Sequence, residues 1–534
     1  MIRYQRLLML GVSTMILIVD NPSIAGQKSQ TGKNASMPKQ SLRVFVDEKD
    51  GKERFLLKNQ DIPLIRHKNN IKKTDKNVLL HKALTDAYSY SPKLQSKLHE
   101  YYKISENISQ AMSGFRPSII GEAKTGYKVN EAQDSMGYHE KIENGRKVVN
   151  KDGKPVMEKD TVRHARSKNP HDVSIKVVQN LYKGGETLAS IKEAQHQILS
   201  ARADFVNTEQ SVLISAIKAY MDLWLKQENL KISQSNEDFY EKSLEQVKGQ
   251  ALVGESAASI DVPLAQFKYE TSVAERMAAE NDKQVARDTY LQVTGKEPAV
   301  ELTLPESIRQ SVEWPSSLST LLARVEKYHP EILNAHYIHK ASQDQIDVAS
   351  SSLLPKIDLE GSESRSIVSS TRNEKEREAS LKLRMTVPIY DKGGKDWSSV
   401  RQSMQITEQK RHDIEVARDA ALKTAKEIWT NLQASKAKIT HYKRAIQASE
   451  RCVKGRQQEY LVGESTLLDL MEAGQKTKKL QTSLVKDLHD EIVNEYLLLS
   501  LIGDLNPQNL NLDVQSLDLN TYPEKAKNQW IGRN

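Results

Sequence analysis

A tandem duplication constrains this chain more than any other feature of its sequence. Ser91-Pro92 stands 25 residues before Pro117, and His329-Pro330 stands 25 residues before Pro355. Gly184-Gly185 lies 70 residues before Gly254-Glu255-Ser256, and Gly393-Gly394 lies 70 residues before Gly463-Glu464-Ser465. Tyr290 to Gly295 matches Leu498 to Gly503. Landmarks that recur in one order, two of them at identical spacing, mark two copies of one structural unit. One spacing differs. Pro117 to Gly184 spans 67 residues and Pro355 to Gly393 spans 38, so the first copy holds 29 additional residues. They fall between Tyr127 and Pro170, in a stretch rich in Lys, Asp, Glu, Asn and Gly that reads as a long polar loop at a hairpin tip.

Within each copy the pattern is helix, strand, loop, strand, long helix, turn, long helix. Val173, Ile175 and Val177 alternate with Ser174 and Lys176. Leu381, Leu383, Met385 and Val387 alternate with Lys382, Arg384 and Thr386. Such alternation over about 10 residues suits a tilted strand crossing a bilayer core, although a soluble hairpin shows the same pattern. Residues 186–248 and 395–454 contain neither Gly nor Pro. Each is expected to be one helix of roughly 90 Å, with the Ala, Leu, Lys, Glu and Gln content of a coiled coil. Residues 266–294 and 475–502 are the shorter antiparallel partners. Gly254 and Gly463 are expected in the turns between helices, where φ > 0 or close backbone approach is required. Gly184-Gly185 and Gly393-Gly394 are expected to turn the corner from strand to helix. The expected fold class is mainly α with a β-barrel contribution: a duplicated repeat of long antiparallel coiled-coil helices plus two β-hairpins, four strands per chain.

Four amphipathic strands cannot close a membrane barrel, which takes eight or more. An open edge in hydrocarbon leaves backbone N–H and C=O groups unpaired, at several kcal/mol each. Strands that span a membrane must therefore be pooled among chains. Two copies supply eight strands and a filled interior; three supply twelve and room for a passage.

The net charge of +8 belongs wholly to the first 76 residues, and the remainder balances 63 Lys and Arg against 63 Asp and Glu. The basicity lies in a leader and a tail, not on a binding face, so nucleic acid is not an expected partner. Arg3 and Arg6 precede an apolar run from Leu7 to Val19, and Ser23-Ile24-Ala25 is an A-x-A-like site, the pattern of a cleaved secretory signal. Mean hydropathy of −0.61 excludes a multi-span helical membrane protein, but not a barrel, whose strands alternate. Cys452 is the one cysteine, so no internal disulfide forms. G-x-S-x-G, H-E-x-x-H, P-loop and dinucleotide-binding motifs are all missing from the sequence, and no catalytic residue, cofactor or metal is expected. His336 and His339 stand i, i+3 without a third ligand in view and read as a solvated helix face.

From about Leu79 to Asn506 the chain resembles the outer-membrane efflux proteins, the TolC-like exit ducts of Gram-negative bacteria. The resemblance rests on the duplicated architecture, the Pro and Gly-Gly spacings, and Tyr460-Leu461-Val462-Gly463-Glu464-Ser465-Thr466-Leu467-Leu468-Asp469-Leu470. That run is close to the family's Y-x-V-G-x-x-T-x-x-D-V pattern. The ending Tyr522-Pro523 with Trp530-Ile531-Gly532 is similar to the branch that serves type I secretion. The resemblance implies a homotrimer in outer-membrane lipid, its twelve strands in one barrel and its twelve helices in a periplasmic tunnel. It implies a passive duct, not an enzyme. Such a duct is gated at its periplasmic tip and works with a periplasmic adaptor (membrane fusion) protein. The inner-membrane pump is either an ABC transporter, for type I protein secretion, or a proton-driven pump, for multidrug efflux. It further implies that Asp469 and Glu472 line the entrance constriction, that Tyr460 belongs to the link holding the tip closed, and that Asp261 lies near the matching acid of the first copy. Six carboxylates in one constriction raise some pKa values and attract cations. Read without the resemblance, the two acids are favourable charges on a helix N-terminal turn. Ser465 departs from the family pattern, since the best-known member carries an arginine there.

The expected division is a signal peptide over 1–25, a basic polar extension over 26–77, a first outer-membrane efflux repeat over 78–300, a second over 301–506, and a C-terminal tail over 507–534. Strands are expected at about 117–127 and 171–182, separated by the loop 128–170, and at about 355–368 and 378–390. Tyr182, Tyr390 and Trp397, near the strand-to-helix corners, are candidate interfacial anchors. The rival architecture is a periplasmic coiled-coil adaptor or scaffold with a small soluble sheet and no transmembrane barrel.

Overall fold

The computed structural model describes residues 77–252, 258–310, 314–369, 374–514 and 517–532. All of these fall in one unit, Ile62–Asn534. The expected signal peptide, the expected extension up to residue 76, and Gly254 lie outside the described residues. The first half runs α1 (Val78–Tyr90), α2 (Pro92–Ser105), α3 (Asn107–Met112), β1 (Ser118–Thr125), β2 (Lys128–Glu140), β3 (Ile142–Glu143), β4 (Arg146–Lys147), β5 (Met157–Lys183), α4 (Glu186–Leu252) and α5 (Ala258–Thr294). The second runs α6 (Leu318–Tyr328), α7 (Pro330–Ser351), β6 (Lys356–Ser369), β7 (Glu374–Thr386), α8 (Lys395–Leu461) and α9 (Leu467–Leu501), and α10 (Thr521–Asn528) follows.

The duplication is visible in the elements themselves. α4 and α8 each contain 67 residues, roughly 100 Å of helix. Both copies break their leading helices at an X-Pro pair, because the residue before proline is driven out of the helical region and proline itself suits the first helical position. Pro92 opens α2, where the Ser91 side chain accepts from the Leu94 N–H, and Pro330 opens α7. Gly295 then packs on the ring of Tyr90, and Gly503 on the carbonyl of Tyr328. Tyr90 and Tyr328 immediately precede the two X-Pro pairs, so each copy closes on the matching position, through the ring in the first and the backbone carbonyl in the second.

The core is helical. Leu84 of α1, Leu213, Ile217 and Tyr220 of α4, Leu321 of α6 and Leu499 of α9 are buried in one cluster. A second cluster joins Tyr240, Leu244 and Val247 of α4 to Leu467 and Met471 of α9. The two equal helices are used unequally. In the single chain 27 residues of α4 are buried, but only eight of α8. α4 packs against α5, α7 and α9, whereas α8 packs against α6, α7 and α9 and keeps most of its residues exposed in the single chain.

The sheet runs β1-β5-β6-β7, all antiparallel, and the β5–β6 ladder joins the two copies. The stretch expected as a loop over 128–170 is instead a hairpin. β2 pairs with the first half of β5 from Lys128↔Lys168 to Glu140↔Met157, and the short β3–β4 pair lies beyond it. Its polar sequence concealed it, because such a hairpin needs no apolar alternation. β5, 27 residues long, is anchored in the sheet by its second half, and main-chain pairing carries the remainder outward.

Candidate functional site

Residues directly opposed across an antiparallel ladder share a face. One face of the sheet carries Ile119, Gly121 and Ala123 of β1, Val173, Ile175 and Val177 of β5, Ile357, Leu359 and Gly361 of β6, and Leu381, Leu383 and Met385 of β7. The other face carries Glu122 and Lys124, Asp172 and Lys176, Asp358 and Glu360, and Lys382 and Arg384. On this polar face Glu360 pairs with Arg384 at 3.0 Å and with Lys176 at 3.7 Å. The apolar face is open: Ile119 is 70% exposed and Leu381 76%. Among the described residues β1 and β7 each pair on one side alone, so the sheet ends there in two open edges. Among the described residues no helix is long and apolar enough to cross a membrane.

Gly184 and Gly185 lie between β5 and α4 with φ of 64° and 84°, and Gly393 and Gly394 lie between β7 and α8 with φ of 63° and 84°. Two consecutive left-handed residues swing the chain from sheet to helix, a conformation only glycine adopts without strain. At Gly184 a Cβ would also stand 2.6 Å from the Ser351 carbonyl oxygen. Tyr182, Tyr390 and Trp397 are all exposed near these corners.

The far end of the long helices holds the remaining candidates. α8 ends in a Schellman turn: the Gly463 N–H donates to the Tyr460 carbonyl at 3.1 Å, and the Glu464 N–H to the Glu459 carbonyl at 2.9 Å. Gly463 has φ 77°, which the motif requires. Thr466 then opens α9 with a capping box. Its side chain accepts from the Asp469 N–H at 3.2 Å and donates to the Asp469 carboxylate at 2.7 Å. The side-chain hydrogen bond from Thr466 holds the Asp469 carboxyl below its usual pKa. In the single chain the shift thus runs opposite to that expected of a carboxylate ring. Glu472 stands three residues on, exposed, with Lys476 at 3.5 Å. Asp261 lies in the first turn of α5, as Asp469 does in α9.

Tyr460 is half-buried, and its hydroxyl donates to Gln250 Oε1 of α4 at 2.9 Å. Sequence reasoning missed Gln250, since the two residues are 210 positions apart. Arg456 was missed as well. It pairs with Glu459 at 2.9 Å and reaches Ser465 Oγ at 3.4 Å. A cation thus stands beside Ser465, supplied from the preceding helix. The Thr466-x-x-Asp469 spacing was the readable signal for the cap.

The class the fold defines is mainly helical: an amphipathic antiparallel sheet, open at both edges among the described residues, continued through glycine corners into paired long helices. The family follows from comparison. The model of the outer membrane efflux protein family matches residues 83–296 and 321–503, one stretch in each repeat, and the chain belongs to that family. Outer membrane efflux protein BepC of Brucella suis biovar 1 (strain 1330) is 26% identical over 451 residues, covering 84% of this chain and 91% of BepC. Outer membrane protein TolC of Vibrio cholerae serotype O1 is 24% identical over 343 residues, covering 63% and 77%. The open state of the Neisseria gonorrhoeae MtrE outer membrane channel shares the fold, with a TM-score of 0.63 at 16% identity over 80% of this chain and 90% of that one.

Proposed function

We propose that three copies of this chain form a passive, gated exit duct through the outer membrane of a Gram-negative cell. The sheet carries this reading: one apolar face, one charged face and two open edges. Setting β7 of each copy against β1 of the next pairs every edge, turns the apolar face to lipid and encloses a polar lumen within twelve strands. The unequal burial of α4 and α8 supports the same assembly, because the exposed surface of α8 is where a neighbouring chain completes a helical tunnel in the periplasm.

The duct supplies no energy. An inner-membrane pump, an ABC transporter or a proton-driven pump, drives cargo through a periplasmic adaptor. The gate lies at the helical tip, where Asp469 and Glu472 form the constriction, the Tyr460–Gln250 bond holds α8 to α4, and Asp261 is the acid of the opposing hairpin. Type I protein secretion and multidrug efflux share this lumen. Deleting the gene separates them, by loss of a secreted protein or by increased drug susceptibility.

Membrane fractionation and planar-bilayer recording test the proposal. The expected result is a heat-sensitive trimer extracted from the outer membrane by detergent, with discrete conductance steps. A monomer released in the soluble periplasmic fraction and silent in bilayers would replace the duct with the coiled-coil scaffold.

A further inference from the structure

The apolar face of the sheet ends differently at its two rims. At the rim nearest the glycine corners it closes with Tyr182, Ile357 and Met385 in register. At the remote rim the same face carries Arg365, Arg377 and Lys375, with Glu363 one row nearer the apolar band. Arg365 and Arg377 are directly opposed across the β6–β7 ladder. Like charges in that position repel. One carboxylate holds them together: Glu363 Oε1 accepts from Arg365 at 3.2 Å and from Arg377 at 3.0 Å. The four side chains carry a net charge of +2 at the border of an open apolar surface. Both arginines are 65% exposed, so a ligand reaches them without rearrangement.

We propose that this remote rim is a binding site for the phosphorylated glycolipid of the outer leaflet. The inference rests on the exit-duct reading, which puts the glycine corners at the periplasmic surface and this rim at the outer one. A phosphomonoester brings two negative charges and three acceptor oxygens, and guanidinium forks match it bidentately. It relieves the Arg365–Arg377 repulsion that Glu363 only half offsets, while the acyl chains lie along Leu381, Val173 and Ile175. At the other end the same face closes with Tyr182, Ile357 and Met385, none of them charged. The two ends therefore suit a bilayer whose phosphorylated glycolipid occupies one leaflet.

The test uses the full-length oligomer in detergent with three probes: diphosphoryl lipid A, its dephosphorylated form, and phosphatidylethanolamine. Bound lipid is counted by native mass spectrometry. Diphosphoryl lipid A is expected to bind in preference to the other two. Arg365→Gln combined with Arg377→Gln is expected to lower its occupancy roughly tenfold, since each arginine makes a charge-assisted bond. Glu363→Gln removes the competing carboxylate and is expected to raise occupancy. Equal binding of the dephosphorylated lipid, or a double variant that binds as the wild type does, overturns the inference. Conductance of the same preparations separates the two readings. A conducting oligomer without lipid preference refutes only this site, whereas a wild-type chain that neither oligomerises nor conducts refutes the duct.

Discussion

Replacing Tyr460 with Phe deletes one hydroxyl at the tip and keeps the ring that packs beside Tyr240, Leu244 and Met471. What disappears is the 2.9 Å bond to Gln250, which fastens α8 to α4. A half-buried neutral hydrogen bond contributes about 1 kcal/mol. If three copies open together, the closed state loses about 3 kcal/mol, and at 1.4 kcal/mol per decade the open-to-closed ratio rises roughly a hundredfold. Single-channel recording of the purified protein in planar bilayers measures this directly. Long occupancy of a larger conductance level is expected for Tyr460→Phe, and equally for Gln250→Leu. The double variant should add little to either, because both changes break one bond and a coupled pair is non-additive. Openings of Tyr460→Phe at wild-type frequency, or additive effects in the double variant, would refute the reasoning.

Other expectations follow from the same geometry. Replacing Asp469 and Glu472 together with Ala should weaken block of the channel by multivalent cations; unchanged block removes both residues from the entrance. Asp469→Asn separates charge from cap, since the amide oxygen still accepts from Thr466, and should weaken block without fraying α9. Glu209 governs a pH dependence in the helical core. It is buried beneath Tyr88, whose hydroxyl donates to it at 2.8 Å, and burial raises its pKa to about 7 from the usual 4.5. The folded chain therefore binds more protons than the unfolded chain between those values, so this contribution is complete below about pH 4.5 and is lost as pH rises through about 7. The shift corresponds to about 3 kcal/mol. Glu209→Gln keeps an acceptor for Tyr88 and abolishes the titration, so thermal unfolding followed by circular dichroism should show a smaller loss of stability between pH 5 and pH 8 than in the wild type. Equal losses in the two proteins would show that Glu209 is not the group responsible.

Much of the fold is written in short-range chemistry. The X-Pro pairs break helices because proline forbids the helical conformation before it, and the runs without Gly or Pro at 186–248 and 395–454 emerged as α4 and α8. Alternation in Val173–Val177 and Leu381–Met385 identified strands and which of their residues share a face, although β7 ends at Thr386 and leaves Val387 outside it. The Gly-Gly pairs and Gly463 marked backbone turns, since only glycine enters the left-handed region freely. Other features depended on partners distant in the chain. The hairpin within 128–170 went unseen because main-chain pairing, blind to side-chain polarity, creates it. The β5–β6 ladder, the Tyr460–Gln250 bond and Arg456 beside Ser465 each join residues whose meeting no local pattern encodes. The contrast between α4 and α8 is of the same kind. The two helices are equal in length and free of breakers throughout most of it, yet one is largely enclosed by its neighbours and the other stays mostly exposed in the single chain. Periodicity is a property of a segment alone and can be read along the chain. Burial and pairing belong to two segments at once, and only the packed structure decides which segments those are.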